Sequence, residues 1–258
     1  MYLFHGSCLA FLFISYCCNA AYHTGMLKIY GLKDINTMNE YETTNDQRVW
    51  QQFKKHEQLT DDQLEKFQQY AVLLLEWNEK SNLTAITSIK KVISDHFQDS
   101  LALKYAVDLS TISSIADVGT GGGFPGIPLA ILYPHVSVTL IEVNQKKIRF
   151  LEEVIQVLKL DNVLISDYDW RTFLRRTNYD IQLFCARASL QPEELIHLFK
   201  PSCHYRDAQL VYWASKQWEA GSRVALYSVG DVPYTVGGKQ RRLILMRSEH
   251  EKRNSLKL

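Results

Sequence analysis

Between Asp117 and Ala130 the sequence reads DVGTGGGFPGIPLA, with five glycines and two prolines in fourteen residues. Glycine adopts positive φ and lets a ligand approach the main chain closely, so so many glycines in one turn predict a bound group. Two chemistries fit the spacing. Gly121, Gly123 and Gly126 satisfy GxGxxG, which offers backbone amides and a helix N-terminus to a dinucleotide pyrophosphate. Asp117, Gly119, Gly121 and Gly123 satisfy DxGxGxG, whose leading carboxylate suits a cationic ligand better than an anionic one. Glu142, at the end of the next apolar run, has the acceptors for both hydroxyls of a ribose and serves either ligand.

Such a turn needs a strand before it and a helix after it. ISSIADVG is a short apolar run ahead of the glycines, and Pro125 and Pro128 suit the first turn of a helix. SVTLIEV reads as a second buried strand, followed by the amphipathic NQKKIRFLEEVIQVLKL with Ile148, Leu151, Ile155 and Leu158 at helical spacing. NVLISD, YDIQLFCA and AQLVYWAS are further apolar runs. SRVALYSVG and KQRRLILMRS are expected as two β runs around the turn residues Pro233, Gly237 and Gly238. Alternating strands and helices predict an α/β fold with a mainly parallel, doubly wound sheet, its ligand beyond the C-terminal ends of the strands.

Upstream the pattern is helical. TNDQRVWQQFKKHEQ and LTDDQLEKFQQYAVLLLEWNEKSN read as two helices, the second capped by Thr60 with Gln63 completing a capping box. Leu64, Phe67, Ala71, Leu74 and Leu75 share one face of it. A third helix is expected from about Ser88 to Val107, with Ile93, Phe97, Leu101 and Lys104 at helical steps and His96 and Asp99 beside them.

Composition excludes several classes. The 258 residues are 46% hydrophobic and 22% charged with a net charge of +1, ordinary globular usage that argues against disorder and against a globally basic nucleic-acid binder. Contact with an anionic polymer would need a local patch. Cys8, Cys17, Cys18, Cys185 and Cys203 show neither CxxC nor metal spacing, which predicts a reducing compartment and no metal site. The eleven-residue run CLAFLFISYCC is too short to span a bilayer but about right for a signal-peptide core, although no Lys or Arg precedes it. Met26 and Met38 offer later starts.

The DxGxGxG pattern is similar to that of S-adenosylmethionine sites. WNEKSNLTAIT, DHFQDSLAL, DVGTGGGFPGIPLAILYP and KKIRFLEEV occur in that order. Together they resemble the bacterial small-subunit ribosomal RNA guanine-N7 methyltransferase family, also called glucose-inhibited division protein B, over about Leu59 to Ser248. The resemblance implies a class I S-adenosylmethionine-dependent methyltransferase: a Rossmann-like, doubly wound sheet with an N-terminal helical extension. It implies S-adenosylmethionine as cofactor and 16S rRNA or the small ribosomal subunit as partner. It also implies a cytoplasmic monomer with no metal and no membrane association. The organisation expected is an apolar extension or mis-called start at 1–37, a helical portion at 38–110, the methyltransferase domain at 111–250 and a polar tail at 251–258.

By the same resemblance Gly119 and Phe124 contact the cofactor, Glu142 takes its ribose, and Trp170 and Arg171 flank its adenine. Arg187, in the turn after the fourth strand, binds there or positions other groups, and His96, Asp99 and Ser100 lie near the cofactor mouth. The chain departs from the family around that turn. Ala186 to Leu190 run two residues shorter than SRAxASL, Ser202 and Cys203 replace a glycine pair, and Ser215-Lys216-Gln217 replaces a KG step. Guanine N7 carries its own lone pair, so the implied reaction needs in-line placement at about 3–3.5 Å rather than a general base. Catalytic residues are therefore left unassigned. Lys90-Lys91, Lys146-Lys147-Arg149, Arg171-Arg175-Arg176 and Lys239-Arg241-Arg242 are candidate RNA contacts, with Tyr168, Trp170, Phe173 and Tyr212 among them in the chain. Two other readings stay open: a methyltransferase with another target, and a cofactor-binding module on the ribosome without turnover.

Overall fold

The computed structural model describes residues 44–248. The expectations for residues 1–37, for the tail at 251–258 and for Cys8, Cys17 and Cys18 lie outside the described residues. The chain divides into two compact units, residues 1–52 and 53–258. Of the first, the described part is the opening of helix α1 (Thr44–Glu57).

In the second unit, the strands are β1 (Ser114–Val118), β2 (Ser137–Ile141), β3 (Val163–Ser166), β4 (Leu183–Arg187), β5 (Gln209–Ser215), β6 (Ser228–Val236) and β7 (Lys239–Met246). They form one sheet in the order β3-β2-β1-β4-β5-β7-β6. The first five pair in parallel, and β7 runs antiparallel to both β5 and β6. This is the class I, doubly wound arrangement that the resemblance implies. β1 lies inside the sheet between β2 and β4 with all of its residues buried, which is why ISSIADVG carries no alternation. The order reverses between β1 and β4, so a crevice opens beyond Val118 and Arg187.

Helix α2 (Asp61–Ser81) begins as expected. Thr60 Oγ1 accepts from Gln63 N at 3.2 Å and Gln63 Oε1 accepts from Thr60 N at 3.0 Å. The Gln63 amide also donates to the carbonyls of Ile131 and Leu132, at the end of helix α4 (Gly126–Leu132). One side chain thus finishes two helices. Thr60→Ala is expected to lower stability by about 1 kcal/mol, read from the urea midpoint at unchanged slope. Leu64, Phe67, Ala71 and Leu74 are buried and Leu75 is half-buried, in keeping with the single apolar face read from the sequence.

Three expectations need correction. The third helix is not a regular one: residues 89–105, called α3 here, pass from one α turn (Ile89–Lys91) through a π-helix (Val92–Gln98) to an α turn (Asp99–Leu101) and a 3₁₀ turn (Ala102–Tyr105). SRVALYSVG is not one strand, since Ser222–Ala225 forms a helical turn before β6 starts at Ser228. Short apolar runs do not separate the two states by themselves. Pro233, read as a turn residue, lies inside β6 opposite Arg242. β6 is an edge strand, where a missing N–H is tolerated.

Candidate functional site

The glycine turn is built from the end of β1 outward. Gly119, Gly121 and Gly123 adopt φ of +64°, +61° and +93°, left-handed values that other residues rarely take. Asp117 holds the turn together: its Oδ2 accepts from Thr120 Oγ1 at 2.5 Å and from the Gly126 amide at 2.8 Å. Its Oδ1 is buried and has no hydrogen-bond partner among the described residues. Burial raises the Asp117 carboxyl to about 6, against the pull of the Thr120 and Gly126 bonds and of the Arg187 charge. A buried carboxylate with one orphaned oxygen favours a cation beside it, so these residues fit a positively charged cofactor.

This shift carries a sign. The folded carboxyl titrates near 6 and an unfolded one near ~3.9. Asp117 therefore stabilises the ligand-free protein below about pH 4, and that contribution is lost as pH rises through about 6. Asp117→Asn is expected to flatten the dependence of stability on pH across this window, as urea unfolding at fixed pH values would record.

Glu142 closes the other side of the turn. Its Oε2 accepts from Gly121 N at 3.0 Å, and its Oε1 accepts from Val143 N at 3.0 Å and Asn144 N at 2.9 Å. Lys147 Nζ lies 3.9 Å from Oε2, on helix α5 (Gln145–Leu158). From α2, the buried Tyr70 hydroxyl donates to the Gly122 carbonyl. A Cβ placed on Gly123 would sit 2.6 Å from the same hydroxyl. Helix α2 thus reaches the glycine turn itself, and Tyr70 is a residue that sequence reasoning missed.

Phe124 links the turn to the end of β4. Its ring stacks on His96 with centroids 4.3 Å apart and planes 9° from parallel, and the Arg187 guanidinium lies 5.2 Å from its centroid. Arg187 donates to the Asp95 carbonyl at 3.0 Å and to Asp99 Oδ2 at 2.7 Å, and reaches His96 Nδ1 at 2.9 Å. Because arginine only donates, His96 Nδ1 is the acceptor and its proton sits on Nε2, 2.9 Å from Thr84 Oγ1. Burial and then the Arg187 charge hold the imidazole down at about 3, so it is neutral. Thr84 N donates in turn to Asn78 Oδ1 at 2.7 Å. The neighbouring segments WNEKSNLTAIT and DHFQDS therefore meet the distant ARASL in one hydrogen-bonded group.

Asp99 is the buried centre of that group. Tyr234 Oη donates to its Oδ1 at 2.6 Å, Trp213 Nε1 donates to its carbonyl at 2.8 Å, and Ser100 Oγ donates to the His96 carbonyl at 2.6 Å. Tyr234 and Trp213 were not candidates from sequence, since nothing local marks a partner more than a hundred residues away. Trp170 and Arg171 are placed in other surroundings. The buried Trp170 meets Phe184 edge-on at 5.5 Å and donates to the Glu194 carbonyl at 3.0 Å, while Arg171 grips the Glu194 carboxylate. In the shortened turn Ala188 adopts φ +52°, and the following Ser189 packs against Gly119, with its buried Oγ lacking a partner among the described residues. Cys185 and Cys203 are free thiols, and burial raises Cys185 well above its ordinary value, which suits packing. Among the described residues no group of His, Cys, Asp or Glu could hold a metal ion, and no helix is long and apolar enough to cross a membrane.

A family model described as rRNA small subunit methyltransferase G matches residues 63–241. A protein of Staphylococcus saprophyticus named ribosomal RNA small subunit methyltransferase G is 40% identical over 153 residues, 57% of this chain and 64% of that protein. Its Bacillus subtilis namesake is 42% identical over 127 residues, 48% of this chain and 53% of that protein. The matched part of the chain thus spans between about half and two thirds of these relatives' lengths. Among solved structures, a SAM dependent methyltransferase from Aquifex aeolicus superposes with a TM-score of 0.44 at 14% identity, over 60% of this chain and 92% of that one.

Proposed function

The chain belongs to the rRNA small subunit methyltransferase G family, and on that premise we propose that it methylates N7 of one guanine in 16S rRNA, using S-adenosylmethionine. The observation that carries this reading is the orphaned, buried Asp117 oxygen beside three left-handed glycines at the end of β1. An anionic pyrophosphate would meet that carboxylate at close range, whereas a sulfonium cofactor is attracted to it. We assign the cofactor to Asp117, Gly119, Gly121, Gly123 and Phe124, with Glu142 at its ribose and Arg187 at its outer edge. Trp170 and Arg171 are proposed at the adenine, where Glu194 anchors both of them.

Bound there, S-adenosylmethionine would supply a methyl group on a positively charged sulfur; a ring-nitrogen lone pair would form the new N–C bond as the S–C bond breaks, its electron pair staying on the sulfur of the departing neutral thioether. No side chain has to remove a proton first. The residues instead fix geometry: Tyr70 and Asp117 hold the turn, and Phe124 is braced by His96 and Arg187. The neutral His96 adds no positive charge where the methylated base acquires one. We place the protein in the cytoplasm as a monomer acting on the small ribosomal subunit.

The test is methyl transfer from labelled S-adenosylmethionine to small subunits lacking the modification, with the labelled nucleoside mapped by mass spectrometry. N7-methylguanosine at one position is expected. Label on another base or another macromolecule would favour a different target, which the shortened turn at Ala188 and Ser189 makes the second reading. No transfer despite cofactor binding would sink the enzyme reading. Cofactor affinity is also expected to weaken as pH falls below about 6, by up to roughly tenfold per unit, as Asp117 gains its proton. Isothermal titration from pH 5 to 8 would record it.

A further inference from the structure

Side chains alternate along a strand, and in β7 this sorts the basic residues onto two faces. Arg242 is fully engaged on one of them, donating from Nε to Asp231 at 3.0 Å and from Nη1 to the Trp218 carbonyl at 2.7 Å. Lys239 and Arg241 face α3 instead. Lys239 Nζ donates to Asp95 Oδ2 at 2.7 Å, and Arg241 Nε lies 3.3 Å from Asp99 Oδ1. The β6–β7 turn is pressed against the same helix, since a Cβ on Gly237 would lie 2.6 Å from Asp95 Oδ1. Arginine and lysine thus line a charged seam whose side chains are 11% exposed at Arg187, 29% at Arg241 and 58% at Lys239.

The charges along this seam do not cancel. Three cations, Arg187, Arg241 and Lys239, face two carboxylates, Asp95 and Asp99, beside the uncharged His96. Arg241 is the member with incomplete bonding. Both Asp99 oxygens already accept, one from Arg187 and one from Tyr234. Arg241 Nε is buried, close to Asp99 but too misaligned to donate to it, and has no hydrogen-bond partner among the described residues. A buried donor without an acceptor is rare, and a guanidinium fork matches the oxygens of an anion.

We propose that Arg241, with Lys239 beside it, binds a backbone phosphate of the RNA substrate next to the cofactor turn. The inference rests on the RNA-methyltransferase reading above. The seam joins that turn through Arg187 and Phe124, so a phosphate held at Arg241 tethers the strand close to the cofactor. The carboxylate of the cofactor offers the same oxyanion chemistry, and the test separates the two sources.

The full chain and its Arg241→Gln, Arg241→Lys, Lys239→Gln and Tyr234→Phe variants would be compared for small-subunit RNA binding between 50 and 200 mM salt, roughly the range over which phosphate contacts are resolved. Cofactor affinity and thermal midpoint would be measured alongside. Arg241→Gln is expected to weaken RNA binding roughly tenfold near 0.1 M salt and to lower the salt slope by about 0.7–0.9, leaving cofactor affinity unchanged. Arg241→Lys should recover most of the slope. Tyr234→Phe, which loosens Asp99 but removes no charge, should lower the midpoint and keep the slope. Lys239→Gln, at a more exposed position, should lower the slope without a change in midpoint. An unchanged slope in both charge-removing variants overturns the proposal, and so does a loss of cofactor affinity with RNA binding intact, which would assign the site to the cofactor carboxylate. Failure of the unsubstituted chain to bind or methylate the RNA overturns the activity reading itself and is told apart because it precedes any substitution.

Discussion

Arg187→Met is expected to lower stability by about 3–5 kcal/mol, because it leaves the buried Asp99 carboxylate with only the misaligned Arg241 as a charged neighbour. At about 2–4 °C per kcal/mol for a chain of this size, the thermal midpoint falls by roughly 6–20 °C. The loss has a signature beyond stability. The Arg187 charge helps to hold His96 at about 3, so without it the imidazole should titrate nearer its ordinary range, visible as a pH-dependent histidine resonance. The same charge pulls the Asp117 carboxyl down, so Asp117→Asn should couple with Arg187→Met in a double-mutant cycle. A midpoint within a degree of the unsubstituted chain would refute the central place given to Arg187.

Gly123→Ala is the second large effect. The backbone there has φ +93°, and the added Cβ would meet Tyr70 Oη at 2.6 Å and Ile127 Cγ1 at 2.7 Å. Left-handed backbone costs an L-residue about 1–2 kcal/mol, and overpacking a full site adds about 1–3 kcal/mol. The turn has to move, and cofactor affinity is expected to fall by about 100-fold or more, measured by calorimetry. Gly238→Ala is the internal comparison, since Gly238 has φ +74° but nothing within 4 Å of its Cβ position. It should show the backbone cost alone and leave cofactor affinity untouched. Equal losses in the two variants would mean that crowding by Tyr70 and Ile127 does not matter.

These two sites mark the limits of what the sequence revealed. The glycine turn was legible because its composition is itself the physical requirement: positive φ at Gly119, Gly121 and Gly123. The parallel strands were legible because their burial produces unbroken apolar runs. Asp117 was legible as an acid suited to a cationic ligand, but its other oxygen, which pins both ends of the turn, was not. The contacts of Arg187 could not be read at all from spacing, since Asp95, His96 and Asp99 lie about ninety residues earlier. Nor could the π-helix, because its apolar positions satisfy ordinary helical steps as well. Pro233 misled for a different reason: a turn-forming residue is harmless on an edge strand, and edges are a property of the sheet rather than of the local chain.

The bonds to Asp99 also have an order in time. A chain leaves the ribosome N-terminal end first, so α3 and the glycine turn emerge long before Trp213, Tyr234 and Arg241. Until the β6–β7 hairpin docks, Asp99 lacks Tyr234 and Arg241, even where β5 has already brought Trp213. The charged seam around Asp99 is therefore finished late, although the glycine turn beside it is made midway through synthesis. A premature stop at residue 221 would leave β1 to β5 and the whole glycine turn present, with the seam unclosed. Limited proteolysis of such a product should cut within residues 89–105, which the full chain should protect.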